Sequence, residues 1–297
     1  MARFDRSKSL ILVIFVLLGY IFYEQLDKTT PRVVPEEVVK PMGDQVVDQD
    51  KPLKPTAKPP AVPQGEAPPS RAPATSKSGM KIAVASMNTH ENSFDHIALS
   101  NKDYYAKKND YDFKFDYEGD GFWHKFKMVE NIVAEQKYDW IWWLDFDALI
   151  TNTTVKLEDI IHEALEGHKD PDSVDMILTP DCFPLNAGSM LFRGHTRLLE
   201  FVNRCWDCRR APTNPSEQDC MLKLIDANEH GEKDKAVFIP QWKMNAFPEE
   251  VPCFDQTGKG WEPGMFVVHF AGAWAHMQNS TDAKGELMSK YSLEIIR

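Results

Sequence analysis

The stretch Asp139 to Ile150, DWIWWLDFDALI, decides how this chain is read. Trp140 to Leu144 are apolar without a break, as in a strand buried on both faces, and the run ends in Asp145-Phe146-Asp147. Two carboxylates two residues apart point to one side of the chain as long as it stays extended. They repel each other unless something positive stands between them. A hard divalent cation, Mn²⁺ or Mg²⁺, suits such a pair and keeps coordination positions open for phosphate oxygens. A D-x-D triplet alone is common on loops; its place at the end of a Trp-rich strand gives it weight.

Outward from that strand, strand and helix patterns alternate. Lys81–Ser86 (KIAVAS) reads as a buried strand, Asn92–Lys108 as a helix and Tyr111–Asp116 as a strand. Trp123–Gln136 reads as an amphipathic helix with Phe126, Val129, Ile132 and Val133 inward. The series is βαβαβ, which predicts an α/β fold with a parallel sheet, helices on both faces and ligands at the carboxyl ends of the strands. Further helices are predicted at Leu157–Leu165, His195–Cys208 and Ser216–Asp226. Further strands are predicted at Val174–Leu178, Asn186–Phe192, Ala236–Ile239 and Met265–Phe270.

A second apolar strand ends in the stretch MFVVHFAGAWAH, which places His269 where a third metal ligand would stand, since imidazole partners carboxylates on Mn²⁺. A histidine there can equally be a hydrogen-bonded core residue. Gly272, three residues on, permits either a close backbone approach to a diphosphate or an ordinary tight turn.

The chain has 297 residues, 34 Lys+Arg against 45 Asp+Glu, and a formal net charge of −11, which excludes a general nucleic-acid binder. Leu10 to Tyr23, LILVIFVLLGYIFY, carries no charge and follows Arg3, Arg6 and Lys8. Its 14 residues are short for a spanning helix, so a cleavable signal and a signal anchor both fit its length. The absence of a small-x-small site after it favours the anchor, with residues 1–9 cytosolic and the rest lumenal. Residues 24–79 contain no Phe, Trp or Tyr and eleven of the 20 prolines, the composition of an extended stalk that cannot build a core. Residues 80–297 form the folded domain. Its five cysteines, Cys182, Cys205, Cys208, Cys220 and Cys253, leave one unpaired in an oxidising lumen, and the lone Cys205-x-x-Cys208 reads as structural. Asn152 and Asn279 begin N-x-[ST] acceptor sites.

Several segments in series carry a resemblance. KIAVASMNT, NKDYYAKKNDYDF, Trp123-His124-Lys125, WIWWLDFDALITN, LNAGSMLFR, SEQDCML and VVHFAG, covering nearly all of residues 80 to 272, resemble the GMA12/MNN10 galactosyl- and mannosyltransferases, glycosyltransferase family 34. That resemblance implies a GT-A (Rossmann-like) fold, a type II Golgi membrane protein, and a Mn²⁺-dependent transfer that retains the α-configuration. The implied donor is a nucleotide sugar, UDP-galactose, UDP-xylose or GDP-mannose; the implied acceptor is a glycan or glycoprotein. It implies Asp145, Asp147 and His269 as metal ligands, with Asp145 also touching the nucleotide, and Gly272 against the diphosphate. Lys125 falls near the donor, Asn186 and Gly188 fall on the sugar pocket, and Glu217, Gln218 and Asp219 face the reacting sugar; their plain alternatives are a surface lysine, a turn and a helix-capping cluster. A non-catalytic subunit of the same fold, organising a transferase complex, is the competing reading. One departure stands out. Some relatives carry a lysine soon after H-F-x-G, whereas this chain continues Ala273-Trp274-Ala275-His276, leaving the diphosphate charge to the metal, to backbone amides or to a basic residue elsewhere.

Overall fold

A computed structural model describes residues 79–117 and 121–297; the apolar run 10–23 and the proline-rich segment, Gly79 excepted, lie outside the described residues. In chain order the strands are β1 (Ile82–Asn88), β2 (Asp112–Tyr117), β3 (Trp140–Leu144), β4 (Ala148–Ile150), β5 (Met176–Thr179), β6 (Asn186–Arg193), β7 (Ala236–Phe238) and β8 (Val267–His269). The helices are α1 (Asp95–Lys108), α2 (His124–Ala134), α3 (Leu157–Leu165), α4 (Leu198–Arg209), α5 (Glu217–Ala227), α6 (Glu232–Lys235), α7 (Ala273–His276) and α8 (Ala283–Ser292).

Six strands form the main sheet in the order β2-β1-β3-β6-β5-β7. Strand β3 shows why an unbroken apolar run was needed: alternate side chains serve two cores. Trp140, Trp142 and Leu144 pack with Tyr105, Ile160 and Phe266, while Ile141 and Trp143 pack on the other face with Phe126, Val129 and Met190. Trp142 stacks on Phe266 at 5.2 Å between ring centroids. The sheet is mixed rather than parallel. β1 runs parallel to β2 and β3, but β6 is antiparallel to both β3 and β5. The link Pro180–Leu185 between β5 and β6 is too short for the helical crossover that parallel pairing requires, so the chain folds straight back.

Strand β4 and helices α6, α7 and α8 had no sequence signal. β4, three residues long, and β8 form a separate antiparallel pair in which Ala148 lies opposite His269. Helix α8 covers that pair through Leu287, Met288 and Tyr291, packed with Phe94, Phe146, Leu149, Val268 and Phe270. The strand expected over Met265–Phe270 is thereby shortened to Val267–His269, and the helix expected from His195 begins at Leu198.

Candidate active site

The chain leaves the main sheet at the D-x-D. Asp145 N–H donates to the Gly188 carbonyl at 2.7 Å, the last bond to β6. Ala148 N–H then donates to the Asp145 carbonyl at 3.2 Å and closes a turn. The two carboxylates therefore converge through a turn, not through the extended alternation expected from sequence. Phe146, between them, faces away and packs against Phe94 and Phe115. Behind the turn, buried Lys102 of α1 donates to the Phe146 carbonyl at 3.2 Å and the Ala148 carbonyl at 2.7 Å. Burial pulls its ammonium down to about 7, with Asp147 and Asp145 acting the other way. Its neighbour Asn101 exchanges two bonds with the Ile150 backbone, at 2.9 and 2.8 Å, so α1 holds both the turn and the strand that follows it.

Because β4 pairs with β8, the end of β8 is brought beside Asp147. Phe270 N–H donates to the Asp147 carbonyl at 3.1 Å, and His269 Nε2 stands 3.3 Å from Asp147 Oδ1. The donor atoms of Asp145, Asp147 and His269 all lie within 4.8 Å of one another. Two carboxylates and an imidazole at that spacing fit a divalent cation. The histidine is oriented for it: Nδ1 donates to Asn245 Oδ1 at 2.8 Å, which turns Nε2 toward Asp147 as the atom a metal would take. Asn245 is in turn held by its amide donors on Thr179 Oγ1 and Asn186 Oδ1, both at 2.9 Å. Asn186 Nδ2 donates to Asp181 Oδ2 at 2.8 Å. Burial lifts the Asp181 carboxyl above its ordinary range despite the bonds it accepts from Phe183 N–H and Asn186.

Gly188 N–H donates to Asn186 Oδ1 at 2.9 Å, and its missing side chain has a specific reason: a Cβ there would collide with the His269 ring. Gly272 adopts φ +68° with open space where a Cβ would point.

Asp145 and Asp147 have different cations. Lys125, expected near the donor, is buried beneath Asp145: Nζ lies 3.6 Å from Asp145 Oδ1 and donates to Glu217 Oε1 at 2.9 Å and the Ala187 carbonyl at 3.0 Å. Burial opposes its charge, but Asp145 and Glu217 outweigh that and raise its pKa. Trp143 Nε1–H also donates to Asp145 Oδ1 at 2.7 Å. Asp147 instead meets Lys284 of α8, whose Nζ is 2.5 Å from Oδ2. Burial works against ionisation of Asp147, yet Lys284 and His269 hold its carboxyl well below the usual carboxylate range.

A cavity of about 220 Å³ opens over this constellation, lined among others by Phe122, Asp145, Gly188, Glu217, Gln218 and His269. Gln218 Oε1 accepts from Ala187 N–H at 2.9 Å, which leaves its amide donors to the cavity. Asp219 is used elsewhere. Its Oδ2 accepts from Ser216 N–H at 3.1 Å and from Ser216 Oγ at 2.7 Å, and Asp219 N–H donates back to Ser216 Oγ at 3.1 Å, forming the capping box of α5. Lys102, Asn245 and Lys284 were missed by sequence reasoning; Lys102 and Asn101 sit in the NKDYYAKKNDYDF block, which carried a signal without a role.

The disulfides are Cys182–Cys253, joining the loop after β5 to the segment before β8, and Cys208–Cys220, joining α4 to α5; Cys205 is buried and free. Asn152 is tied into the fold, donating to the Gly264 carbonyl at 2.8 Å and accepting from Thr154, whereas Asn279 is exposed.

Among solved structures the fold resembles a glycosyltransferase involved in the glycosylation of the major capsid of PBCV-1. That likeness has a TM-score of 0.54 at 16% identity and covers 70% of this chain and 99% of the other, placing the architecture in the GT-A class. The probable alpha-1,2-galactosyltransferase gmh2 of Schizosaccharomyces pombe is 29% identical over 248 residues, 69% of this chain and 66% of the relative. The probable alpha-1,6-mannosyltransferase MNN10 of Saccharomyces cerevisiae is 24% identical over 250 residues, 69% of this chain and 63% of the relative. The chain thus spans just under two thirds of the length of these relatives. With residues 79–280 matching the family as a whole, from β1 past the D-x-D turn and His269 to α7, the chain belongs to the galactosyl transferase GMA12/MNN10 family.

Proposed function

We propose that this chain is a retaining, metal-dependent glycosyltransferase that moves galactose or mannose from a nucleotide-sugar donor to a hydroxyl of a glycan acceptor, leaving an α-linkage. The observation that carries this reading is the convergence of Asp145, Asp147 and His269, of which Asp145 and His269 line a cavity together with Glu217 and Gln218. Held by those three side chains, Mn²⁺ would supply Lewis-acid stabilisation of the charge that develops on the departing diphosphate.

The protein's own groups act by placement. Asp145 is fixed by Trp143 and Lys125, and His269 by Asn245, so their donor atoms need little reorganisation on binding. Gln218, anchored through its carbonyl oxygen, offers amide donors to the sugar hydroxyls. Glu217 is paired with Lys125 and Asp219 closes its capping box, while Asp145 and Asp147 belong to the candidate cation site. Pairing with Lys125 disfavours Glu217 as the nucleophile of a covalent glycosyl intermediate of the kind retaining glycosidases use. This supports attack by the acceptor hydroxyl on the face the diphosphate leaves, its proton passing to the departing phosphate oxygen.

The relatives' names, a galactosyltransferase and a mannosyltransferase, support a hexose donor. The two disulfides suit an oxidising lumen, in keeping with a Golgi enzyme tethered through residues 10–23. The test is release of nucleoside diphosphate from UDP-galactose, UDP-xylose and GDP-mannose with manno-oligosaccharide acceptors, with and without Mn²⁺. Turnover with one donor that needs both acceptor and Mn²⁺, and falls by about 10² or more in Asp147→Asn, is the expected result. Binding of Mn²⁺ and donor with no turnover across a broad acceptor panel would overturn it in favour of a non-catalytic subunit.

A further inference from the structure

Among the described residues, three lysines contact the two carboxylates or the turn that carries them, and they are not equivalent. Lys125 is buried and divided among Asp145, Glu217 and the Ala187 carbonyl. Lys102 is buried behind the turn and bound to two main-chain carbonyls. Lys284 has one partner, Asp147, and its side chain is 36% exposed. It alone can change partners without leaving a buried charge behind.

Its location is also specified. α8 starts from Asp282, whose Oδ1 accepts from Gly285 N–H at 3.1 Å and whose other oxygen takes the Ser93 hydroxyl from the segment after β1. A Cβ on residue 285 would collide with both Asp282 Oδ2 and Ser93 Oγ, so glycine is what lets this cap close. The cap fixes the residue just before it, Lys284, at the second position of the helix. A cation in a first turn is repelled by the helix macrodipole, so local preference argues against lysine here and tertiary context must favour it.

Charge supplies that context. Asp145, Asp147 and Glu217 against Lys125 leave the site at −2; a divalent cation brings it to neutrality. A nucleoside diphosphate adds at least two negative charges, and its departure concentrates them on phosphate oxygens. We propose that Lys284 is the cation that answers this charge: it waits on Asp147 in the metal-free protein, is released when the metal claims that carboxylate, and turns its ammonium onto the donor diphosphate. Lys284 thus supplies, from the first turn of α8, the positive group missing directly after the His269-Phe270-Ala271-Gly272 segment. The inference rests on the transferase reading above.

Two opposite effects distinguish it from a merely structural ion pair. In Lys284→Met, Mn²⁺ binding to the donor-free full chain, followed by titration calorimetry, should tighten by about tenfold because the competing ammonium is gone. In the same variant at saturating Mn²⁺, affinity for UDP or GDP should weaken by about tenfold, and kcat with the preferred donor should fall by roughly 10². Lys284→Arg should restore most of the diphosphate affinity, and thermal melting of both variants checks that they fold. Unchanged or weaker Mn²⁺ binding, or unchanged diphosphate affinity, in a folded Lys284→Met protein would overturn the proposal while leaving the transferase reading intact. Failure of the wild-type chain to bind Mn²⁺ and donor would instead remove both.

Discussion

Asp145 and Asp147 stand two residues apart in one turn, yet they answer to different parts of the molecule. Asp145 belongs to the main sheet: its N–H continues the ladder to β6, and its carboxylate meets Trp143 and a lysine whose side chain is 1% exposed. Asp147 belongs to the small β4–β8 pair, where its partners are His269 and a lysine 36% exposed on α8. The first carboxylate is held by a cation that cannot leave, the second by one that can. A single short motif therefore combines a fixed support with an exchangeable contact, because the chain changes sheets in the middle of it.

The sharpest way to break this contrast is at Lys125. Lys125→Met strands the buried Glu217 carboxylate and removes the cation under Asp145, so unfolding free energy should drop by about 3–5 kcal/mol, the range for breaking a buried pair. Denaturant melts would read it. A loss under 1 kcal/mol would mean that Lys125 is as exchangeable as Lys284.

On the Asp147 side the support runs through Asn245. Asn245→Leu removes the acceptor that fixes the His269 tautomer and frees Asn186, and Mn²⁺ affinity of the donor-free protein should fall by roughly 10–100-fold. Asn245→Asp keeps an acceptor and should recover much of it. Equal affinity in all three proteins would show that the ring is held by packing against Phe247 and Gly188 alone.

Lys102 offers the smallest and most specific test. In the folded chain its ammonium loses its proton near 7, whereas an unfolded lysine keeps it up to 10.5. Between those values the unfolded chain binds more protons, so this residue makes stability rise with pH; below 7 both states are protonated and the gain is absent. In a chelator, wild type should gain roughly 1 kcal/mol relative to Lys102→Met between pH 7 and 8. Parallel pH profiles for the two proteins would place the charge elsewhere.

How far the sequence reaches differs between the two halves of the site. The D-x-D at the end of a buried Trp-rich strand and His269 at the end of another were legible from local pattern, whereas Glu217 and Gln218 were singled out only by the family resemblance. Asp219 was legible only as a choice between chemistry and a capping box, and the geometry spends it on the cap. The antiparallel β6 was misread because its strand pattern does not carry direction; the short Pro180–Leu185 link does.

Local pattern set most of the strands and helices and all the residue types: which runs must be buried, where a carboxylate pair ends a strand, and that no lysine follows His269 at close range. Only the tertiary structure decided which distant groups meet them. Asn245 faces His269 across 24 positions, Lys125 reaches Glu217 across 92, and Lys284 answers Asp147 from a helix with no strong apolar period. Periodicity records what a segment buries, not what it is buried against, and a charge partner chosen by packing leaves no trace at a fixed spacing along the chain.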